Sequence, residues 1–210
     1  MVTGRTALVA AVAVVVFYVI AAAIVGTPLS VETSASDSLS WLQSHRTDIQ
    51  TSSVFVNLAL IAFLTFVGVA APRLGGAYGW VFAASGAAMV AQIAAGQWLV
   101  SGAALHADSI SAGTARALLD VNAYWGPMLT GTDVALAGAV ALCWYRERTL
   151  PGWVGILSAI FALEQLAESA TLCSSTGFAA PGGVWNNEVG AGLFMIWLLA
   201  LGFGISRRRT

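Results

Sequence analysis

Six apolar segments, each near 20 residues long, constrain the fold of this chain more than any other feature. They cover roughly residues 7–26, 50–71, 78–100, 124–145, 152–173 and 187–206. A helix needs about 20 apolar residues to cross roughly 30 Å of hydrocarbon. The composition agrees, because 58% of the residues are hydrophobic and only 9% are charged, against about a quarter charged in soluble domains. We therefore predict an all-α polytopic membrane protein, a single domain of six transmembrane helices in a lipid bilayer.

The first segment, "ALVAAVAVVVFYVIAAAIVG", follows Arg5 and could also be a signal peptide. Its apolar stretch of about 20 residues exceeds the 7 to 15 of a signal-peptide core, and no clear small-residue cleavage site follows. We expect it to be retained as a membrane anchor.

The arginines predict the orientation, because short cytoplasmic loops carry the excess of positive charge. On one side of a six-span arrangement lie Arg5, Arg73, Arg146, Arg148, Arg207, Arg208 and Arg209. Only Arg46 and Arg116 lie on the other side. Both termini are therefore predicted to be cytoplasmic.

Two of the longer outer connections carry helix signals. In "SDSLSWLQSHR", Ser36 is placed to cap a short helix, and in "SAGTARALLDV", Ser111 is placed similarly. We expect two short interfacial helices in the outer loops.

Several functions are excluded by residues that the chain lacks. All nine basic residues are arginine, so a retinal Schiff base or a lysine nucleophile is impossible. Two histidines and two cysteines are too few for a three-histidine zinc site or a Cys₄ cluster. The net charge of −1 and the absence of a basic stripe argue against a nucleic-acid partner. The sequence does not identify a cofactor.

Polar side chains inside the spans collect in one leaflet. Counted at 1.5 Å per residue, Asp133 and Glu164 lie about 12 to 13 Å below the outer surface, with Glu168 about 7 Å and Glu188 about 5 Å below it. Asn57 and Gln92 fall near the same depth. The candidate ligand-binding residues are Asp133, Glu164, Glu168, Gln92, Asn57 and Glu188.

The acids need shelter from lipid, because a carboxylate at the bilayer centre costs about 2.5 to 3.5 kcal/mol. Glu164, Gln165 and Glu168 fall on one stripe of a helix, so a shared inward face would hide both glutamates. Candidate metal ligands are Asp133, Glu164 and Glu168, with His45 from the neighbouring loop.

Simpler interpretations remain open for part of this set. Asn57, Gln92 and Gln165 also fit a role as hydrogen bonds between helices. Glu188 fits an ordinary surface acid, and His45 fits a loop residue without a ligand.

The inner half of the spans is almost free of polar residues, as "VALAGAVALCW" and "GLFMIWLLALGFGI" illustrate. A pore with a polar lining from one face to the other is therefore not expected. The pattern predicts a vestibule that opens outward and closes near the midplane.

Two stretches resemble a known family. "LSWLQSHRTDIQTSSVFVNLALIAFLTFVGVAAPRLGG" and "RTLPGWVGILSAIFAL" are similar to an uncharacterised family of six-span integral membrane proteins common in actinobacteria, known as a domain of unknown function. The resemblance implies the six-span topology only, and it implies no activity. We expect the protein to lie in a bacterial cytoplasmic membrane.

Three functions compete. The first is binding of a proton, a metal cation or a small cationic ligand in the outer vestibule, with transport as an extension. The second is an accessory or structural subunit that docks a protein partner, or a second copy, through the outer loops. The third is an enzyme at the membrane surface with a carboxyl acid and base, although no nucleophile motif is present.

Overall fold

A computed structural model describes residues 4–26, 29 and 31–207, and it is a bundle of α-helices with no strand in those ranges. Arg208 and Arg209, which contributed to the predicted orientation, lie outside the described residues. The helices are α1 (Gly4–Val25), α2 (Ala35–Ser44), α3 (Arg46–Leu74), α4 (Gly76–Leu105), α5 (Ala112–Ala123), α6 (Trp125–Glu147), α7 (Gly152–Glu168) and α8 (Ala191–Ser206).

Six of these helices, counted with their short extensions, are long and apolar enough to cross a membrane within the part of the chain described. They are α1, α3, α4, α6, α7 and α8, so the predicted all-α polytopic fold is confirmed. The structured spans are longer than the apolar segments, since α3 and α4 extend beyond 50–71 and 78–100 at both ends. The fifth span ends as a 3₁₀ turn, Ser169–Cys173, and the sixth begins as a π-helix, Trp185–Gly190.

The spans form a closed ring in chain order. Each packs on the next one, and α8 returns to pack on α1. Gly4 lies against the backbone of Ser206 at this closure. The turn between α3 and α4 is short because Gly75 adopts a φ of 73°, which other residues rarely adopt.

The two ends of the bundle differ. We call the end that holds Gly4, Ser206 and the turns at Gly75 and residues 148–151 the terminal end. The opposite, loop end carries α2, α5 and residues 174–184.

The two outer helices pack on each other at the loop end, as short interfacial helices are expected to do. Ser111 caps α5 by accepting a hydrogen bond from the Thr114 backbone at 3.1 Å. The cap of α2 is Ser34 rather than the predicted Ser36, because Ser34 Oγ accepts from the Asp37 backbone at 3.1 Å. Serine at either position suits a helix start, so the sequence alone did not distinguish them.

Six aromatic rings fill the middle of the bundle between α3, α4, α7 and α8. We call this cluster the aromatic floor: Phe63, Phe66, Phe82, Phe161, Phe194 and Trp197. The closest pair, Phe161 and Trp197, has ring centroids 5.2 Å apart. Trp197 is fully buried and donates a hydrogen bond to Ser158 Oγ at 2.9 Å.

Candidate functional site

A cavity lies between the aromatic floor and the loop end, and all six spans contribute to its wall. Its volume is about 240 Å³, counted as the space that the centre of a water molecule can occupy. Phe63 and Phe194 form its base. The polar residues of its wall are Tyr18, Gln97, Asn122, Asp133, Gln165, Glu168, Asn186 and Asn187.

Asp133 is the acid that faces the cavity from α6. Its side chain is only 5% exposed, and a turn closer to the loop end Leu129 lines the same wall. The Oδ1 atom is buried and has no hydrogen-bond partner among residues 4–26, 29 and 31–207. Buried polar atoms are nearly always hydrogen-bonded, so a buried oxygen without a hydrogen-bond donor is unusual.

Glu168 faces the cavity from the end of α7, and both of its oxygens are satisfied. Gln165 Nε2 donates to Oε2 at 2.7 Å, and Asn186 Nδ2 donates to Oε1 at 2.5 Å. Only 3% of Glu168 is exposed. The two amides therefore hold this carboxylate in one position.

Glu164 lies beside the cavity rather than in its wall. Trp185 Nε1 donates to one of its oxygens at 2.8 Å and Gln165 Nε2 to the other at 2.9 Å. Successive helical residues point about 100° apart, so Gln165, not Glu164, takes the inward position. Glu164 and Glu168 nevertheless lie close enough to Asp133 to interact with it electrostatically, so the three acids form one acidic cluster.

The π-helix at the start of the sixth span supplies one hydrogen-bond donor to each of these glutamates. Trp185 and Asn186 are consecutive, and they bond Glu164 and Glu168 respectively. Asn186 is fixed in turn by the Gly182 backbone, which donates to its Oδ1 at 3.1 Å. π-Helical turns of this kind often occur at functional sites.

Gln92 does not line the cavity. Its amide donates to the Met128 carbonyl at 3.2 Å, and its Oε1 accepts from Thr132 at 3.1 Å. Gln92 thus joins α4 to α6, which is the hydrogen-bonding role between helices that the sequence left open.

Three further candidates lie away from the cavity. Asn57 is exposed on the outer surface of α3, and Glu188 is exposed on the π-helix. His45 stacks on Trp41 at the junction of α2 and α3, with ring centroids 5.1 Å apart. The structure therefore brings together Asp133 and Glu168, with Glu164 adjoining, and separates the others from them.

No group of three metal-binding side chains occurs in the described part of the chain. The two arginines at the loop end form ion pairs with other acids. Arg46 pairs with Asp108, and Arg116 pairs with Asp120 at 2.9 Å.

Several wall residues were absent from the predicted site. Tyr18, Gln97 and Trp125 line the cavity from α1, α4 and α6. Asn186 follows Trp185 at the start of the sixth span. Its polarity was visible in the sequence, but its partner depends on the π-helix.

No protein-family model, curated protein or solved structure matches this chain.

Gly190 sets the space available to the Glu168 carboxylate. A Cβ at this position would lie 2.9 Å from Cδ of Glu168 and 3.1 Å from Nε2 of Gln165. We expect Gly190→Ala to displace these side chains and to lower the free energy of unfolding by about 1 kcal/mol, the low end of the cost of overpacking. Detergent-based unfolding monitored by circular dichroism measures the change.

Gly192→Ala is the matched control, because a Cβ at 192 meets no described atom within 4 Å. It should be neutral or slightly stabilising, since alanine favours helix over glycine. Equal losses from the two substitutions would contradict close packing at Gly190.

Proposed function

We propose that this protein binds a cation, which includes a proton or a small cationic ligand, in the cavity at Asp133. The observation that carries the proposal is the buried Oδ1 of Asp133, which no described residue satisfies. A buried carboxylate oxygen without a donor is costly. A bound cation would offset that cost.

The neighbouring acids strengthen the preference for positive charge. Glu168 and Glu164 both interact electrostatically with Asp133, and their oxygens already have donors. They contribute negative potential while Asp133 offers the free oxygen. Attraction between opposite charges is stronger in a cavity sheltered from water than in bulk solvent.

We further propose that the loop end faces outward from a bacterial cytoplasmic membrane. The described arginines at the terminal end are Arg5, Arg73, Arg146, Arg148 and Arg207. The two arginines at the loop end are both paired with aspartates. This asymmetry supports cytoplasmic termini by the positive-inside rule.

The proposal concerns binding from the loop end. Transport of the cation would require the aromatic floor to part, because its packed rings separate the cavity from the terminal half of the bundle.

The test is thermal unfolding of the purified protein in a nonionic detergent, followed by tryptophan fluorescence. Chloride salts of sodium, calcium, methylammonium and benzylammonium are titrated separately. We expect at least one of them to raise the Tm of the wild type in a saturable manner. Asp133→Asn should weaken that cation's apparent affinity about tenfold or more, the loss expected when a charged hydrogen bond is removed.

Glu188→Gln is the control, because it removes an exposed acid from outside the cavity. It should titrate as the wild type does. The proposal is wrong if none of the four cations raises the Tm and Asp133→Asn also leaves the pH dependence of the Tm unchanged. It is equally wrong if Asp133→Asn and Glu188→Gln behave alike. An unaltered, well-folded Asp133→Asn protein would then favour the accessory-subunit hypothesis.

A further inference from the structure

We propose that the cation is an organic ammonium ion that carries N–H groups and an apolar body. This inference rests on the proposed function, and it specifies the chemical class of the ligand bound at Asp133.

The wall of the cavity matches the body of such a ligand. Four aromatic residues, Tyr18, Phe63, Trp125 and Phe194, contribute to it together with aliphatic side chains and methionines. Aromatic faces attract ammonium groups and adjoining methylenes through cation–π interactions. Ligand sites for organic molecules are typically apolar with a few convergent polar groups, which describes this cavity.

The size of the cavity also favours an organic ion. One water needs about 10 to 15 Å³ of space measured in this way, so 240 Å³ corresponds to more than about ten waters. A bare metal ion at Asp133 would leave most of the apolar wall without a contact. An ammonium ion with a ring or a short alkyl chain would cover it.

The oxygen donors do not suit a metal ion. Calcium takes six to eight oxygen ligands, whereas both Glu168 oxygens already accept hydrogen bonds from amides. Residues 4–26, 29 and 31–207 hold no cluster of three metal-binding side chains. Oδ1 of Asp133, by contrast, accepts no hydrogen bond from any described residue, and an N–H group of the ligand would supply that bond.

Because Asp133 needs a hydrogen-bond donor, a quaternary ammonium is not expected to be the best ligand. Asp133 Oδ1 lacks a hydrogen-bond donor, counted over the residues that the structure describes. A primary or secondary ammonium supplies an N–H to that oxygen, whereas a quaternary one supplies charge alone. Charge-assisted hydrogen bonds of this type are among the strongest in proteins.

The experiment compares matched probes by the same Tm titration. Benzylammonium has charge, N–H groups and a ring, whereas methylammonium lacks the ring. Benzyl alcohol lacks the charge, and benzyltrimethylammonium keeps the ring and the charge but lacks N–H groups. Sodium and calcium lack both N–H groups and an apolar body. We expect benzylammonium to bind about tenfold or more tightly than each of the others, because burial of a ring and a charged hydrogen bond each contribute that much.

Two variants connect the binding to the cavity. Asp133→Asn should weaken benzylammonium about tenfold or more and leave benzyl alcohol nearly unchanged. Met89→Ala removes part of the apolar wall and should weaken benzylammonium more than methylammonium. Glu188→Gln should alter neither affinity.

The outcomes separate this inference from the function on which it rests. If sodium or calcium binds through Asp133 more tightly than benzylammonium, the ammonium inference is wrong and cation binding stands. If benzyl alcohol equals benzylammonium in the wild type, the ammonium inference is wrong, and if sodium and calcium also fail to bind, cation binding is wrong as well. If benzyltrimethylammonium equals benzylammonium, the N–H requirement is wrong.

Discussion

Replacement of Trp197 with alanine is expected to lower the free energy of unfolding by about 3 to 5 kcal/mol, the range for removal of a buried aromatic side chain. Trp197 is 0% exposed, and its ring contacts Phe82, Phe161 and Phe194. The substitution would leave a cavity among rings that come from different helices. Reversible unfolding in mixed micelles with increasing dodecyl sulfate measures the loss.

Trp80→Ala is the matched control, because it also removes a tryptophan side chain, but from α4 at a position that is 79% exposed. Its expected cost is within about 0.5 kcal/mol, as for other surface substitutions. Trp197→Phe retains a ring and removes the donor to Ser158, so its cost should be intermediate. Similar losses from Trp197→Ala and Trp80→Ala would show that the aromatic floor does not hold the bundle together.

The spans were predictable because one physical requirement dominates them. Crossing a bilayer demands a continuous apolar stretch of a known length, and the chain meets that demand six times. The ends of the helices were less predictable, since α3 begins at Arg46, before the start of its apolar segment. Helix ends depend on capping and on contacts such as the Arg46–Asp108 pair, which hydropathy does not report.

The proximity of Asp133 and Glu168 was predictable, whereas the direction of each side chain was not. Asp133 and Glu168 both line the cavity. Glu164 was expected on the same inward stripe, but Gln165 occupies the wall and the Glu164 carboxylate bonds Trp185. A small rotation of α7 about its axis decides whether Glu164 or Gln165 faces the cavity. Packing of α7 against α6 and α8 determines that rotation.

Asn57 shows the limit of reasoning from depth alone. It was counted among the polar residues of one leaflet, yet it is exposed on α3. The preceding residue, Val56, lines the cavity instead. The expectation that polar residues in a span face inward holds best for charged groups. An amide is less costly to expose to lipid than a carboxylate, which accounts for the outward position of Asn57 and the inward position of Asp133.

Asn186→Leu is expected to destabilise the protein by about 1.5 to 3 kcal/mol, the contribution of hydrogen bonds to a charged group. Leucine has a similar size but cannot donate to Glu168 or Thr171, and it cannot accept from the Gly182 backbone. The buried Glu168 carboxylate would lose one of its two amide donors. Unfolding in dodecyl sulfate mixed micelles measures the loss.

Asn187→Leu is the control for the neighbouring position. Asn187 is exposed and donates to the Gly182 carbonyl, so its replacement should cost only about 0.5 kcal/mol, the low end for a hydrogen bond. A larger loss from Asn187→Leu than from Asn186→Leu would contradict the assignment of Asn186 as the residue that holds Glu168.

A second substitution separates the bond itself from the shape of the side chain. If Asn186→Leu acts by leaving Glu168 without a donor, then Glu168→Leu in the same protein should recover part of the loss, because removal of both partners costs less than removal of one. The coupling energy of this double-mutant cycle should exceed about 0.5 kcal/mol, the level expected for residues in contact. Purely additive losses would mean that Asn186 stabilises the π-helix without restraining Glu168. The carboxylate would then be free to turn toward Asp133, and a cation would be shared between two acids rather than held by one.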